Sequence, residues 1–234
     1  QWKGVSWFIE GDIVDFFDTI NHQKLMLLIS LRIKDQQVLD LLWKILRTKI
    51  LVDGKLQKTG EGVPQGSVIS PLLSNIYLHE LDMFVGALKK ELDTKETTKL
   101  NPEYIKAKSL LRSKKGVNKK RGYQELRKIK SSIRVGMKLY YVRYADDWLV
   151  GIWGSKEDSL KVRKRIETFL KTELFLETSV EKTKITHAGK EKAHFLGYDI
   201  YSPTPKESFF EKGSVKKRAS HVSIYINAPY TKIK

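Results

Sequence analysis

Two stretches of this chain place acids where packing gives them nothing. Leu139-Tyr140-Tyr141-Val142-Arg143-Tyr144 is aromatic and β-branched enough to read as a strand, and Trp148-Leu149-Val150-Gly151-Ile152-Trp153 reads as a second. Asp146 and Asp147 stand between them, so the pair forms a hairpin with two carboxylates at its tip. Far upstream, Trp7-Phe8-Ile9-Glu10-Gly11-Asp12-Ile13 reads as a buried strand with Asp12 at its end. If these strands are neighbours in one sheet, the three acids converge. Carboxylates that meet raise one another's pKa unless a cation neutralises them. A hard cation with oxygen ligands suits such a site, and Mg²⁺ is the usual choice where phosphates share the coordination. Two such ions would clamp the attacking and leaving oxygens of an in-line phosphoryl displacement. An isolated Asp-Asp pair would equally suit an ordinary turn; Asp12 and the loop described next weigh against that reading.

That loop is Gly60-Glu61-Gly62-Val63-Pro64-Gln65-Gly66-Ser67. Glycines let backbone approach a ligand closely, and the segment runs into a helix whose first N–H groups are open to anions. Ser70-Pro71 opens this helix, with Ser as N-cap and Pro at the first helical position. Leu73, Ile76, Tyr77, Leu81, Phe84, Val85 and Leu88 line its buried face. Apolar spacing predicts further helices over roughly 21–33 and 36–48, and one capped by Ser155 and running to about Glu173. Ile50–Gln57 reads as a hairpin turning at Asp53-Gly54. Short strands are expected near 183–186 and 194–200, before Pro203 and Pro205 break the chain. The expected fold class is therefore α/β, of the α+β type: a small antiparallel sheet carrying the acids, with helices on one face.

Charge divides the chain. The 234 residues hold 44 Lys and Arg against 27 Asp and Glu, a net of +17. Residues 89–138 alone hold 17 basic and 5 acidic residues, including Lys114, Lys115, Lys119, Lys120 and Arg121. This stretch reads as an exposed, partly mobile basic insertion, either a solvated linker or a phosphate-contacting surface. Four segments follow: 1–88, the insertion 89–138, 139–202, and a terminal linker 203–234. With no cysteine, a disulfide scaffold, thiol catalysis and Cys-based metal sites are excluded. No apolar run is long enough to span a bilayer, and no membrane partner is expected. The five histidines show no metal-ligand spacing and read as structural or surface residues. The absence of a starting methionine suggests a fragment of something longer.

Tyr144-Ala145-Asp146-Asp147 between apolar strands resembles the catalytic box of reverse transcriptases. Asp12-Ile13-Val14-Asp15-Phe16-Phe17-Asp18 resembles the family's first carboxylate motif, and Val63-Pro64-Gln65-Gly66-Ser67-Val68-Ile69-Ser70-Pro71-Leu72-Leu73-Ser74-Asn75 its template- and nucleotide-positioning motif. Glu181-Lys182-Thr183-Lys184 and His194-Phe195-Leu196-Gly197-Tyr198 resemble the two palm elements that follow. All five occur in the family's order and cover about residues 5–200. Phe16–His22, Asn75–Asp82 and a basic insertion containing Asn101-Pro102-Glu103-Tyr104 are similar to group II intron-encoded reverse transcriptase/maturases.

The resemblance implies a palm with the fingers missing and the maturase (thumb) domain only begun, at residues 226–230. It implies that Asp12 and Asp146 ligate two Mg²⁺ ions, or Mn²⁺ in their place, with help from Asp147 and the backbone carbonyl of Ile13. Phe17 falls at the steric-gate position that excludes a ribose 2′-OH. Gln65 and Gly66 would touch nucleotide and template, and Lys182 would sit near the leaving pyrophosphate, with Lys184 as an alternative. Phe195, Leu196 and Gly197 would form the primer grip, while Arg143 is expected to be a sheet-edge residue. The implied partners are an intron RNA template, a DNA primer and dNTP. Oligomeric state is left open, and a mitochondrial, organelle-encoded origin is expected ahead of chloroplast or bacterial cytoplasm. Two other functions compete. A non-catalytic maturase that folds intron RNA would use the basic insertion but gain nothing from three acids facing a polyanion. An RNA-directed RNA polymerase shares the palm logic but must admit the 2′-OH, against which Phe17 argues.

Overall fold

The computed structural model describes residues 2–48, 50–52, 55–57, 61–63, 67–95, 97–113, 123, 126, 128–129, 131–179, 182–202, 209–212, 215–218 and 224–228. It divides into two units, residues 1–92 with 139–234, and residues 93–138.

The first unit is built on a four-stranded sheet: β1 (Trp7–Gly11), β6 (Lys138–Tyr144), β7 (Asp147–Trp153) and β8 (Lys184–His187), in the order β6-β7-β1-β8. β1 pairs antiparallel with both β7 and β8. Strand alternation assigns its faces. Ile9 and Gly11 share one face with Val150 and Trp148, while Phe8 and Glu10 share the other with Gly151 and Leu149. Both faces are covered, which is why β7 is buried along almost its whole length.

Helices cover the first face. The chain leaves β1 through a single turn, α1 (Phe16–Thr19), into α2 (His22–Ser30) and α3 (Gln36–Leu46). Asn21 and Asp35 cap α2 and α3 with their side chains. α4 (Ser70–Leu92) buries Leu73, Tyr77, Leu78, Leu81, Val85 and Leu88. It packs on α2 and on α6 (Lys156–Glu173). The Tyr77 hydroxyl donates to the Leu174 carbonyl at 2.6 Å, and Phe84 stacks on Phe169 at 4.1 Å between centroids. α6 opens on a capping box, Ser155 with Asp158, and packs against β1.

The opposite face holds an addition to the expected architecture. A second sheet, β13-β10-β9, is made of β9 (Ala193–Phe195), β10 (Tyr198–Tyr201) and β13 (Tyr225–Asn227). Its Ala193 and Ile200 join Val5, Phe8, Leu149 and Ala188 in one buried cluster. The single strand expected near 194–200 is thus a hairpin turning at Leu196 and Gly197, both at positive φ, 50° and 80°. Two successive left-handed residues are what a two-residue type I′ turn requires. Residues 203–234, expected to hold a linker and the start of the maturase (thumb) domain, contain β13 and a hairpin, β11 (Phe209–Lys212) with β12 (Val215–Arg218). β2 (Ile50–Val52) pairs with β3 (Lys55–Gln57) as expected, while the Asp53-Gly54 turn, Pro203 and Pro205 lie outside the described residues.

The second unit corresponds to the expected insertion 89–138. Its described residues form a ladder of β4 (Thr97–Leu100) with β5 (Ser132–Val135) and a helix, α5 (Pro102–Ser113). Asn101 accepts from the Glu103 N–H with Pro102 at the first helical position, and Leu126 is buried.

Candidate active site

The register of β1 on β7 explains how residues 12 and 147 meet. Glu10 lies opposite Leu149 and Gly11 opposite Trp148, so one further step brings Asp12 level with Asp147. Asp147 is the first residue of β7, and Asp146 occupies the turn with Ala145, whose φ is 52°. Gly11 makes the approach possible. A Cβ added there would lie 2.0 Å from the Trp148 indole, which is itself 1% exposed. Beyond β1 the chain is pinned from one side: Ser179 N–H donates to the Asp12 carbonyl at 3.0 Å and Val14 N–H to Glu177 at 2.9 Å. Ile13 bridges Thr178, with its side chain buried.

The acids sense each other. Burial raises the Asp147 pKa, and the neighbouring charges of Asp146 and then Asp12 raise it further, against a smaller lowering by Lys182. Lys182 Nζ sits 2.9 Å from Asp12 Oδ2, and that hydrogen bond and charge hold the ammonium above its usual pKa. Uncompensated carboxylate oxygens, with a cationic side chain already drawn to one of them, have the donor chemistry a hard divalent cation needs. Among the described residues no three His, Asp or Glu side chains are already closed around one point.

Two hollows share these acids. One, of about 330 Å³, is lined by Asp12, Ile13, Phe17, Asp146, Ser179 and Lys182, among others. The other, of about 510 Å³, runs from Asp12, Asp147 and Lys182 to His194, Phe195 and Leu196. Phe16 fills the core while its neighbour Phe17 faces the first hollow, the two rings edge to face at 5.3 Å. Lys184 lines the second hollow, where Phe195 also packs on the Phe8 cluster. Gly197 completes the turn beside them. The structure therefore brings Asp12, Ile13, Phe17, Asp146, Asp147, Lys182, Phe195 and Leu196 around one pair of hollows, with Gly197 next to Leu196 in the turn. Gln65, Gly66, Lys114, Lys115, Lys119, Lys120 and Arg121 lie outside the described residues.

Residues that motif reading passed over hold this arrangement. Glu10, on the same face as Phe8, accepts from the Thr186 hydroxyl and, at 2.8 Å, from the His194 N–H. It ties β1 to both β8 and β9. Its signal in the sequence was a carboxylate inside an apolar strand. Arg143 stands on the edge strand β6 as expected, but it also donates to the Ala145 carbonyl at 2.7 Å and to both oxygens of Asp82 on α4.

The sequence pattern of the family described as reverse transcriptase (RNA-dependent DNA polymerase) matches residues 1–97 and 118–200. The chain belongs to the reverse transcriptase family. Within it, the chain is similar to intron-encoded proteins. It is 41% identical, over 98% of its length, to the group II intron-encoded protein LtrA of Lactococcus lactis subsp. cremoris, of which it spans 40%. It is 36% identical over 100% of its length to the uncharacterized 91 kDa protein in cob intron of Schizosaccharomyces pombe, of which it spans 30%. The chain thus spans less than half the length of these relatives. In fold it is similar to apo telomerase from Candida Tropicalis, with a TM-score of 0.50 and 16% identity over 85% of this chain and 32% of that one.

Proposed function

We propose that this chain is the catalytic palm of an RNA-directed DNA polymerase belonging to a group II intron-encoded protein. The observation that carries the reading is the pair of hollows meeting at Asp12, with Phe17 on one side and Phe195-Leu196 on the other. One hollow suits an incoming dNTP and the other a primer terminus. Asp12 and Asp146, with Asp147 and the Ile13 carbonyl, would hold two Mg²⁺ ions, for which Mn²⁺ could substitute. Those ions, when bound, supply acidification of the primer hydroxyl and charge neutralisation on the departing pyrophosphate. The primer 3′-oxygen, its proton passing to solvent, bonds to the α-phosphorus of the dNTP as the bond from that phosphorus to the β-phosphate oxygen breaks and pyrophosphate departs. Phe17 excludes a ribose 2′-OH. Lys182, freed from Asp12, faces the pyrophosphate as it leaves. The β9–β10 hairpin seats the primer end.

The template would be intron RNA, and the same protein would assist splicing and mobility of its intron. The net positive charge of residues 89–138 supports RNA contact. The similarity to the protein in the cob intron of Schizosaccharomyces pombe supports a mitochondrial location.

The test is primer extension on an RNA template with Mg²⁺, offering dNTP or NTP, by the full-length protein and its Asp146→Asn variant. Extension with dNTP alone, lost in the variant, is expected. No extension by a folded, RNA-binding protein would overturn the polymerase reading in favour of a splicing factor without catalysis.

A further inference from the structure

Phe17 stands on α1, a helix of four residues, and one turn cannot sustain itself. It starts at Asp15, whose backbone is left-handed at φ 42°, with no side-chain cap. Something else must hold the ring in place. Residues 61–63 do so. Val63 N–H donates to the Phe17 carbonyl at 2.7 Å, and Gly62 N–H to the Ile20 carbonyl at 2.8 Å. Gly62, at φ 86°, lies so close that an added Cβ would be 2.8 Å from the Asp18 carbonyl oxygen and 2.9 Å from that of Phe17. No other residue fits there without moving α1.

This clamp is itself held by a buried histidine. His22 is 5% exposed, and its Nε2–H donates to the Gly62 carbonyl. A carbonyl only accepts, so the tautomer follows from the contact. The imidazole is set edge to face on Trp43 at 6.3 Å. His22 thus fixes Gly62, and the segment containing Gly62 fixes both ends of α1. His22 has no contact with the acids and no part in the chemistry described above.

We infer that His22 is a positioning residue for nucleotide sugar selection: through Gly62 and Val63 it sets where the Phe17 ring stands in the hollow beside Asp12. The inference rests on the reading of Phe17 as the gate against a 2′-OH. A gate excludes one hydroxyl only if it cannot shift by the width of that group. A one-turn helix released from its clamp can shift that far. The substrate class concerned is the nucleoside triphosphate, distinguished at the 2′ position alone.

The test measures kcat/KM for dCTP and CTP opposite a template guanine, in the full-length protein and in Phe17→Ala, His22→Gln, His22→Asn and His22→Leu. The dCTP/CTP ratio is read per active molecule, so partial unfolding leaves it unchanged. Phe17→Ala is expected to collapse the ratio. His22→Leu, which lacks a donor, and His22→Asn, too short to reach Gly62 but polar enough for a helix start, should each lower it by about tenfold, the scale of one buried hydrogen bond. His22→Gln keeps a donor of suitable reach and should stay within about threefold of the parent. Amide exchange at Gly62 and Val63 should accelerate in His22→Asn and not in His22→Gln. An unchanged ratio in folded His22→Asn, alongside a collapsed one in Phe17→Ala, overturns the role of His22 and leaves the gate standing. An unchanged ratio in Phe17→Ala overturns the gate, and the inference with it.

Discussion

The Arg143 guanidinium holds both carboxylate oxygens of Asp82, Nε to Oδ1 at 2.8 Å and Nη2 to Oδ2 at 2.7 Å. Its remaining nitrogen reaches the Ala145 carbonyl at 2.7 Å and Asn75 Oδ1 at 3.1 Å. Tyr141 adds a further donor to Asp82 at 2.8 Å. One side chain therefore couples helix α4 to the turn that presents Asp146. That turn needs holding, because Ala145 is left-handed without being glycine, at a cost on the order of 1 kcal/mol.

Arg143→Lys should lower kcat for primer extension while changing the KM for dNTP little. An ammonium cannot reproduce the planar fork that meets Asp82 and Ala145 together. Arg143→Ala should destabilise the protein by about 3 kcal/mol, the lower end for breaking a buried pair, since Asp82 retains some water. Urea unfolding and steady-state kinetics on the two variants check this. A Lys variant with parental kcat would remove Arg143 from the positioning of the turn.

Gly11→Ala should be among the most damaging small substitutions in the sheet. The new methyl would enter the Trp148 ring, and overpacking of this kind costs about 1–3 kcal/mol. Shrinking the ring should relieve it. Gly11→Ala combined with Trp148→Phe should be more stable than the sum of the two separate losses predicts, in a double-mutant cycle followed by thermal unfolding.

Two acids should give stability opposite dependences on pH. The Asp147 pKa is raised by burial and by Asp146 and Asp12. Its contribution is present below the ordinary carboxylate pKa and is lost as pH rises through the raised value. Burial would also raise Asp82, but the hydrogen bond and charge of Arg143 outweigh it and hold this carboxyl low. Its contribution is present above the ordinary pKa and is lost as pH falls through the depressed one. With divalent ions chelated, Asp147→Asn should therefore melt above the parent at neutral pH, and the gap should close as pH falls through the carboxylate range. Melting curves at several pH values with EDTA decide it. A gap that ignores pH would mean that the Asp147 charge carries no such penalty.

Glu10→Leu should raise the KM for primer-template more than it lowers kcat. The aliphatic side chain can accept from neither the Thr186 hydroxyl nor the His194 N–H. The β9–β10 hairpin would then keep its own ladder and lose a tie to β1. Filter binding of a primer-template, with extension rates at saturation, separates the two effects.

Phe175→Gly should stabilise the protein by about 1 kcal/mol, or a few degrees in Tm. Phe175 follows Leu174, the C-cap of α6, at φ 54° and is 59% exposed, while Leu176 N–H reaches back to the Leu170 carbonyl at 2.9 Å. Glycine favours that left-handed position, and little apolar burial is lost.

The sequence by itself determined the strands, the long helices, their caps and the three acids, because these depend on neighbours one to four residues away. Apolar, aromatic and β-branched runs mark Trp7–Ile13 and Leu139–Trp153; helical spacing and Ser-Pro mark the start of α4. The order of motifs also identified the family. Only the tertiary structure decided which residues hold the acids in place. Arg143 and Asp82 are 61 positions apart, and Glu10 and His194 are 184 apart. No local pattern relates them. The pairing of the expected 194–200 segment into a second sheet, and the ladder within the basic unit, depend on distance in the same way. β10 pairs with β13 and β4 with β5 across long intervening segments, which no pattern inside either strand announces. His22 illustrates the division. As a lone histidine it reads as a core or surface residue. In the fold, its ring meets a glycine carbonyl 40 positions away, and that contact holds the turn on which Phe17 stands.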